Sequence, residues 1–464
     1  MQMKKFVLIL FVFCCATAKG QQKSGMSPRQ IAERNKPGTV MILATFKGNV
    51  SAAKPYIDES SLTVLAQNIK QQLEADGTYT TDLFWTSYIK SFAANVDKYM
   101  TRSNETMSEE LNTTMLGSGF VITPDGYVVT NAHVIDADEE STKQSFAQQA
   151  FSKIINEDVA SLEQSMGRKM NEEESKAIVD AESWYFSQTL TVDDIQADYN
   201  VVIGVTGKKG EIVAMTIPAK LVTRGNPIPG KDVAILKLQE KHIYPTIRIG
   251  DDTQMSTGDP VYVLGYPGVA TFHPLISEES MAEATLTTGL VSARKKMKGG
   301  WDVLQIDAAI THGNSGGPVM NDKGEVIGLA TFGSADEQRG QEVQGMNFIV
   351  PATIVKEFLK KGSVKPQMSD ISLLYEEAMN LFDKSRFKKA LEKLKEVKSQ
   401  NPAFPFVDKF LEDTQTNIDK GLDKGENGFM DFVNKNKLAL MIGGGALVLI
   451  LLLVVVLKRK KKTA

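Results

Sequence analysis

Three short motifs in the chain contain residue types that can carry out nucleophilic catalysis. The first is a serine flanked by glycines, in the segment Gly313-Asn314-Ser315-Gly316-Gly317-Pro318. Glycine allows a tight turn, and it lets backbone N–H groups and a substrate carbonyl approach the serine oxygen closely. The pattern predicts a serine nucleophile, although a glycine-rich turn with a polar tip would have the same composition.

A candidate base and a candidate orienting acid lie earlier in the chain, each at the edge of a predicted strand. His133, one of only four histidines, follows the apolar run that ends at Asn131. Asp232 opens the apolar run 233–238, where burial of its carboxylate is costly unless a partner such as a histidine N–H is present. The order of the motifs predicts a triad in which Ser315 attacks, His133 takes its proton and Asp232 orients the ring. We expect His312, close to the serine, to be an exposed rim residue.

Short β-like runs must position these residues. They are broken by Gly, Pro, Asn and Asp, as is typical of an all-β sandwich or barrel, and they are Thr39–Phe46, Gly119–Thr123, Tyr127–Asn131, Asn200–Val205, Val233–Leu238, Val261–Leu264 and Val326–Thr331. Two stretches have helical periodicity instead, one through Leu62, Ile69 and Tyr99 and the other through Phe146 and Met166. We therefore predict helical insertions at about 49–108 and 136–198.

The region 370–422 has a helical pattern throughout. Its apolar residues are spaced as in one tetratricopeptide (TPR) repeat, a pair of helices, and they are Tyr375, Ala378, Phe382, Phe387, Ala390, Leu391, Leu394 and Val397. The segment Phe404–Ile418 could add a third, capping helix, and a plain helical stalk is the alternative. One repeat cannot bury its apolar face alone, so we expect it to lean on the cap, on the preceding domain or on a partner protein.

The two ends of the chain carry targeting signals. Residues 1–18 have the basic start, the short apolar run and the Ala-Thr-Ala site of a secretory signal peptide. The uncharged segment 438–457 is long enough to cross a bilayer once, and the basic segment 458–464 follows it. Cleavage after Ala18 would remove both cysteines, so the fold must rest on its core without disulfides. A net charge of −3 gives no reason to expect a nucleic acid partner, and no motif indicates a cofactor or a metal.

Several segments together resemble the HtrA/Deg branch of the trypsin-like serine proteases. They are Gly117–Ile122 with Asn131–Val134, then Asp232–Leu238, Thr285–Ala293 and Gln305–Pro351. The resemblance implies a mainly β fold over about 27–362, with two six-stranded barrels of the chymotrypsin type and the triad in the cleft between them. It also implies an oxyanion hole at Gly313, Asn314 and Ser315, with the amides of Gly313 and Ser315 as donors.

The same resemblance implies a substrate pocket walled by Ile310, Thr331, Gly333 and Asn347. Pocket residues of this kind favour cleavage after small or medium aliphatic residues, since no acidic residue falls at the base to bind Lys or Arg. Asn347 departs from the small residue that is usual in the family. The helical region 370–422 replaces the usual PDZ domain, and the long helical insertions could cover the cleft and restrict access to it.

These observations predict a serine endopeptidase, held in a membrane by one helix, that hydrolyses exported or misfolded proteins. We expect a bacterial inner-membrane protein with its protease domain in the periplasm, although Lys461 and Lys462 also fit a dilysine retrieval signal of a eukaryotic cell. The alternative function is a silent or latent scaffold that recruits proteins through its TPR-like segment. A regulatory protease and a homo-oligomeric assembly stay open.

Overall fold

The computed structural model describes residues 25–272, 275–277, 281–336 and 341–425. The helices are α1 (Pro28–Asn35), α2 (Glu59–Ala75), α3 (Thr81–Ala93), α4 (Val96–Tyr99), α5 (Ala132–Ile135), α6 (Glu139–Met166), α7 (Glu172–Thr189), α8 (Gly268–Thr271), α9 (Ala352–Lys361), α10 (Asp370–Asp383), α11 (Phe387–Gln400) and α12 (Val407–Asp419). The strands are β1 (Thr39–Ile57), β2 (Met100–Val121), β3 (Tyr127–Thr130), β4 (Thr191–Val192), β5 (Gln196–Thr206), β6 (Ile212–Arg224), β7 (Ala234–Leu238), β8 (Pro260–Gly265), β9 (Thr285–Lys296), β10 (Asp302–Ile306), β11 (Pro318–Met320), β12 (Val326–Asp336) and β13 (Gln341–Pro351).

The targeting signals predicted at the two ends lie outside the described residues. They are the signal peptide at 1–18, the membrane helix at 438–457 and the basic tail at 458–464. Among the helices that the structure describes, none combines the length and the apolar character needed to cross a bilayer.

The first sheet closes through the pairing of β1 with β2. Its strands are hydrogen-bonded in the order β2-β3-β7-β6-β5-β1, and β4 lies beside β1. Strands β3 and β7 are antiparallel, with Thr130 opposite Ala234. This register places the residues that follow β3 beside those that precede β7, so the ends of two sequence motifs meet at one edge of the sheet.

The second sheet is a closed barrel with the strand order β10-β13-β12-β11-β8-β9. Its interior is a cluster of small and branched apolar residues, as close packing of a narrow barrel requires. A larger cluster joins residues of both sheets and of α9, including Phe120, Val129, Ile235, Leu264, Leu329, Val350 and Phe358. The sequence expectation of β-barrels with helical additions is confirmed.

A second compact unit consists of residues 43–116 and 133–200, and both predicted insertions fall within it. Both periodic stretches are helical, as α2 to α4 and as α6 and α7. The first insertion differs at its flanks, because 49–57 and 100–108 continue strands β1 and β2. Burial alternates along β1 with the period of two that defines a strand, so the helices begin only at Glu59.

The C-terminal region forms three helices, α10 to α12, at the places that the apolar pattern predicts. They enclose a core that includes Tyr375, Ala378, Leu394, Val397 and Phe410. The region also packs on the barrels: the Tyr375 hydroxyl donates to the Glu33 carbonyl at 3.1 Å, and the Thr206 hydroxyl donates to the Phe404 carbonyl at 2.6 Å. The apolar face of the helices is therefore covered from within the chain, while the TPR assignment stays a prediction.

Candidate active site

The loop that carries Ser315 lies between β10 and β11, and its glycines are required by geometry. Gly313 and Gly316 have φ angles of 98° and 84°, a region that side chains with a Cβ rarely adopt. A Cβ on Gly316 would lie 2.2 Å from the Ser118 carbonyl oxygen, and one on Gly317 would lie 2.3 Å from the Leu264 carbonyl oxygen. These contacts explain why glycines surround the serine.

Ser118, near the end of strand β2, holds the loop that carries Ser315 from the other barrel. Its hydroxyl donates to the Gly313 carbonyl at 2.6 Å, and its amide donates to the Ser315 carbonyl at 2.7 Å. The same hydroxyl accepts from the Tyr266 amide at 2.9 Å. Ser118 belongs to the motif Gly117–Ile122, and no local signal in that motif shows that its side chain reaches a loop almost two hundred residues away.

Thr331 connects the predicted nucleophile with the predicted acid. The Ser315 hydroxyl donates to the Thr331 carbonyl at 3.1 Å, and the Thr331 hydroxyl donates to Asp232 Oδ2 at 2.6 Å. Asp232 is fully buried, as expected for an acid that needs partners. The side chain of Thr331 thus holds the carboxylate, while its place in the wall of a substrate pocket stays a prediction.

His133 lies in the short helix α5, directly after β3, with a half-buried side chain. Two residues earlier, Asn131 Nδ2 donates to the Asp232 backbone carbonyl at 2.6 Å. This hydrogen bond and the β3–β7 register fix the segment that leads into α5 next to the start of β7. The exposed position of His312 agrees with its expected place at the rim.

Two backbone hydrogen bonds constrain the directions of the amides around Gly313. The His312 carbonyl accepts from the Gly268 amide at 2.8 Å. In a trans peptide the N–H and C=O groups point in opposite directions, so the Gly313 N–H points away from Gly268. The Asn314 amide donates to the Thr311 carbonyl at 3.0 Å within the turn. Of the three residues expected in the oxyanion hole, Asn314 therefore already uses its amide.

Asn347 occupies the region where the substrate pocket is expected. Its Nδ2 donates to the Ala308 carbonyl at 2.7 Å, and it pairs with Gly333 across β12 and β13. A Cβ on Gly333 would lie 2.8 Å from Asn347 Oδ1, so the amide fills the space above this glycine. Ile310 is buried in the core of the second barrel. Asn347 thus narrows the space where the substrate pocket is expected and places a polar amide group in it.

The two closed sheets and the glycine-bounded serine loop have the architecture of the trypsin-like class of serine peptidases. A profile of the trypsin-like peptidase domain matches residues 117–329. The Do-like serine protease HtrA of Lactobacillus helveticus is 31% identical over 158 residues, 33% of this chain and 36% of the relative. A probable periplasmic DegP-like serine endoprotease of Bartonella henselae is 28% identical over 279 residues, 58% of this chain and 38% of the relative.

The chain thus matches a trypsin-like peptidase domain over residues 117–329 and is similar to HtrA and DegP-like serine proteases, in agreement with the resemblance seen in the sequence. The matched part of the chain spans little more than a third of the length of either relative. A solved structure described as an HtrA-type protease AlgW with a decapeptide aligns over 73% of this chain and 68% of its own. Its TM-score is 0.36 and its identity is 18%, so it adds nothing to the assignment.

Proposed function

We propose that the chain is a membrane-anchored serine endopeptidase that hydrolyses exported or misfolded proteins. The single observation that carries this proposal is the connection from Ser315 through Thr331 to the buried Asp232. A buried carboxylate is costly unless it is paired. A role in orienting a catalytic histidine would account for a carboxylate at this position. The short distance along the chain from Asn131 to His133 supports histidine as the third member.

The proposed reaction proceeds through an acyl-enzyme. The His133 ring takes the proton of the Ser315 hydroxyl while the serine oxygen attacks the scissile carbonyl carbon. The developing oxyanion accepts hydrogen bonds from the amides of Gly313 and Ser315. His133 then gives its proton to the leaving amine, and a water molecule, deprotonated by the same ring, hydrolyses the ester. Asp232 stabilises the imidazolium in both halves of the reaction.

The proposed location is the inner membrane of a bacterium, with the protease domain in the periplasm. The signal peptide at 1–18 and the apolar segment 438–457 support export and anchoring. The relative from Bartonella henselae is named as periplasmic. Division of the exported part into a protease domain at 27–362 and a TPR-like segment at 370–422 belongs to the same proposal.

Labelling with a fluorophosphonate tests the nucleophile directly. We expect the natural chain to be labelled, Ser315→Ala to lose all labelling, and His133→Ala to react at least about a hundredfold more slowly, in line with the loss of a catalytic base. Ser187→Ala is the matched control, since Ser187 is an exposed serine whose hydroxyl donates to the Trp184 carbonyl. Equal labelling of Ser315→Ala and the natural chain would refute the assignment.

The alternative function, a silent or latent scaffold, makes the opposite prediction for the natural chain. A scaffold would not react with the fluorophosphonate even after deletion of 136–198. A latent protease, in which the insertion restricts access, would react only after that deletion. Unchanged peptide cleavage rates after the deletion would refute a covering role for the insertion.

A further inference from the structure

A cavity of about 310 Å³ lies within the helical unit formed by 43–116 and 133–200. Its walls come from the ends of β1 and β2 and from helices α2, α3, α6 and α7, and most of them are apolar. Leu62, Tyr88, Phe92 and Leu162 are among the lining residues. A volume of this size is within the range of small-molecule sites.

Two carboxyl groups, those of Glu182 and Asp158, interrupt this apolar lining. Glu182 is only 4% exposed, and its Oε2 has no hydrogen-bond partner among the described residues. Asp158 is exposed, so it lies at the open side of the cavity. Burial and the neighbouring Asp158 carboxylate raise the pKa of Glu182 to about 8. Burial also raises the pKa of Asp158; a hydrogen bond with Glu182 acts in the opposite direction, and the charge of Glu157 adds to the increase.

Helix α7, which carries Glu182, contains a second buried glutamate in a different environment. Glu174 is fully buried, and Arg168 donates to both of its oxygens at 2.8 Å. These hydrogen bonds hold the pKa of Glu174 down to about 2. In the part of the chain that the structure describes, neither Glu182 nor Asp158 has such a lysine or arginine partner. The Glu182–Asp158 pair must therefore share a proton or bind a cation from outside.

The aromatic and apolar residues of the cavity walls indicate which kind of cation would fit. Tyr88 and Phe92 can present ring faces to a positive charge, and the apolar walls suit a hydrocarbon stem. An ammonium group has three N–H donors, enough for both carboxyl groups. Within the described ranges no group of three or more His, Cys, Asp or Glu side chains is arranged to hold a metal ion.

We propose that this cavity binds a primary ammonium group carried on an apolar stem, with the ammonium between Glu182 and Asp158 and the stem among the apolar walls. A lysine side chain of a polypeptide and a free alkylamine share this chemistry. The site lies outside the peptidase machinery, and the inference does not depend on the proposed protease function.

Calorimetric titration of the full chain, purified in detergent, tests the proposal. We expect n-hexylamine to bind and hexan-1-ol, which lacks the charge, to bind at least about tenfold more weakly, since a hydrogen bond to a charged group is lost. Glu182→Gln should weaken n-hexylamine binding by a similar factor. Glu172→Gln should not, because Glu172 is an exposed residue at the start of the same helix. Binding of Nα-acetyl-lysine amide, but not of its uncharged Nε-acetylated form, would show that a lysine side chain can be the source of the ammonium group. Binding of n-hexylamine alone would indicate a free alkylamine.

Asp158→Asn keeps the test decisive if the buried variant does not fold. Asp158 is exposed, so its replacement should preserve the fold, and it should also weaken n-hexylamine binding. Equal binding of hexan-1-ol and n-hexylamine would overturn the proposal in favour of a purely apolar cavity. If neither n-hexylamine nor Nα-acetyl-lysine amide binds, the proposal is wrong and the two carboxyl groups only share a proton. Binding of calcium chloride that excludes n-hexylamine would show a metal site instead.

Discussion

Replacement of Thr331 by valine should reduce catalysis strongly while leaving the substrate pocket in place. Valine keeps the shape of the side chain and removes only the hydroxyl that donates to Asp232 Oδ2 at 2.6 Å. The backbone carbonyl of residue 331, which accepts from Ser315, is retained. Asp232 would then remain fully buried with one donor fewer, so the carboxylate would be less well fixed and its charge less well stabilised.

The size of the effect follows from the charge of the acceptor. A hydrogen bond to an ionised group contributes about 1.5–3 kcal/mol. At about 1.4 kcal/mol for each factor of ten in rate, the full loss would lower kcat/KM by roughly 10- to 150-fold. We expect the decrease mainly in kcat, because the Thr331 hydroxyl is directed at Asp232 and away from the substrate. Thr331→Ser, which retains the hydroxyl, should recover most of the activity.

Cleavage of an unfolded protein such as reduced casein, together with the rate of fluorophosphonate labelling, measures the change. Thr206→Val is the matched control, since Thr206 is also a buried threonine whose hydroxyl donates at 2.6 Å, in this case to the Phe404 carbonyl. It should lower the melting temperature without changing kcat/KM. A decrease of less than twofold for Thr331→Val, or equal losses in the two variants, would refute the reasoning.

Three further predictions concern other parts of the molecule. Asn347→Gly removes the amide above Gly333. The side chain of Leu has three more carbon atoms than that of Ala, so at about 0.8 kcal/mol per buried CH₂ the change should raise kcat/KM for Leu relative to Ala before the cleaved bond by up to about 50-fold; unchanged selectivity in a peptide series would contradict this. Tyr375→Phe removes the hydrogen bond to the Glu33 carbonyl and should cost about 1 kcal/mol in thermal unfolding, whereas the exposed Tyr79→Phe should cost nothing; equal melting temperatures would argue against docking of the C-terminal helices. The folded-state pKa of Glu182, about 8, lies above its unfolded value near 4.3, so the helical unit should lose stability as the pH rises from about 4.5 through 8, by about 1–3 kcal/mol once the exposure of Asp158 is allowed for. Glu182→Gln should flatten this loss in melting curves at several pH values, and an unchanged slope would contradict the assignment.

The fold could be predicted where local patterns are strong. Short β-like runs broken by turn residues predicted seven of the strands, and helical periodicity predicted α6 and the three C-terminal helices. The helical character expected at the flanks of the first insertion was wrong, because 49–57 and 100–108 continue strands β1 and β2. Local periodicity does not show where a strand leaves one compact unit and enters another.

The candidate site could be predicted in its chemistry and only partly in its arrangement. A serine that needs glycines around it, a rare histidine after a strand and an aspartate before one are recognisable without coordinates. The hydrogen bond from Thr331 to Asp232 was not foreseen, because the direction of the Thr331 side chain depends on where β7 places Asp232. Ser118 was missed as a partner of Gly313 because the two residues meet only across the barrels.

Residue types and short-range turns are enough to recognise the three candidate motifs and their order along the chain. The groups that hold the candidate residues in place come from segments that meet only in the folded protein. Ser118 and Thr331 support the nucleophile through contacts between distant segments, and α10 to α12 pack their apolar faces on one another and form hydrogen bonds with the barrels. The cavity with Glu182 and Asp158 likewise exists only where α6 and α7 pack with their neighbours. Such contacts leave no periodic signal, because each depends on the packing of elements that are remote in the chain.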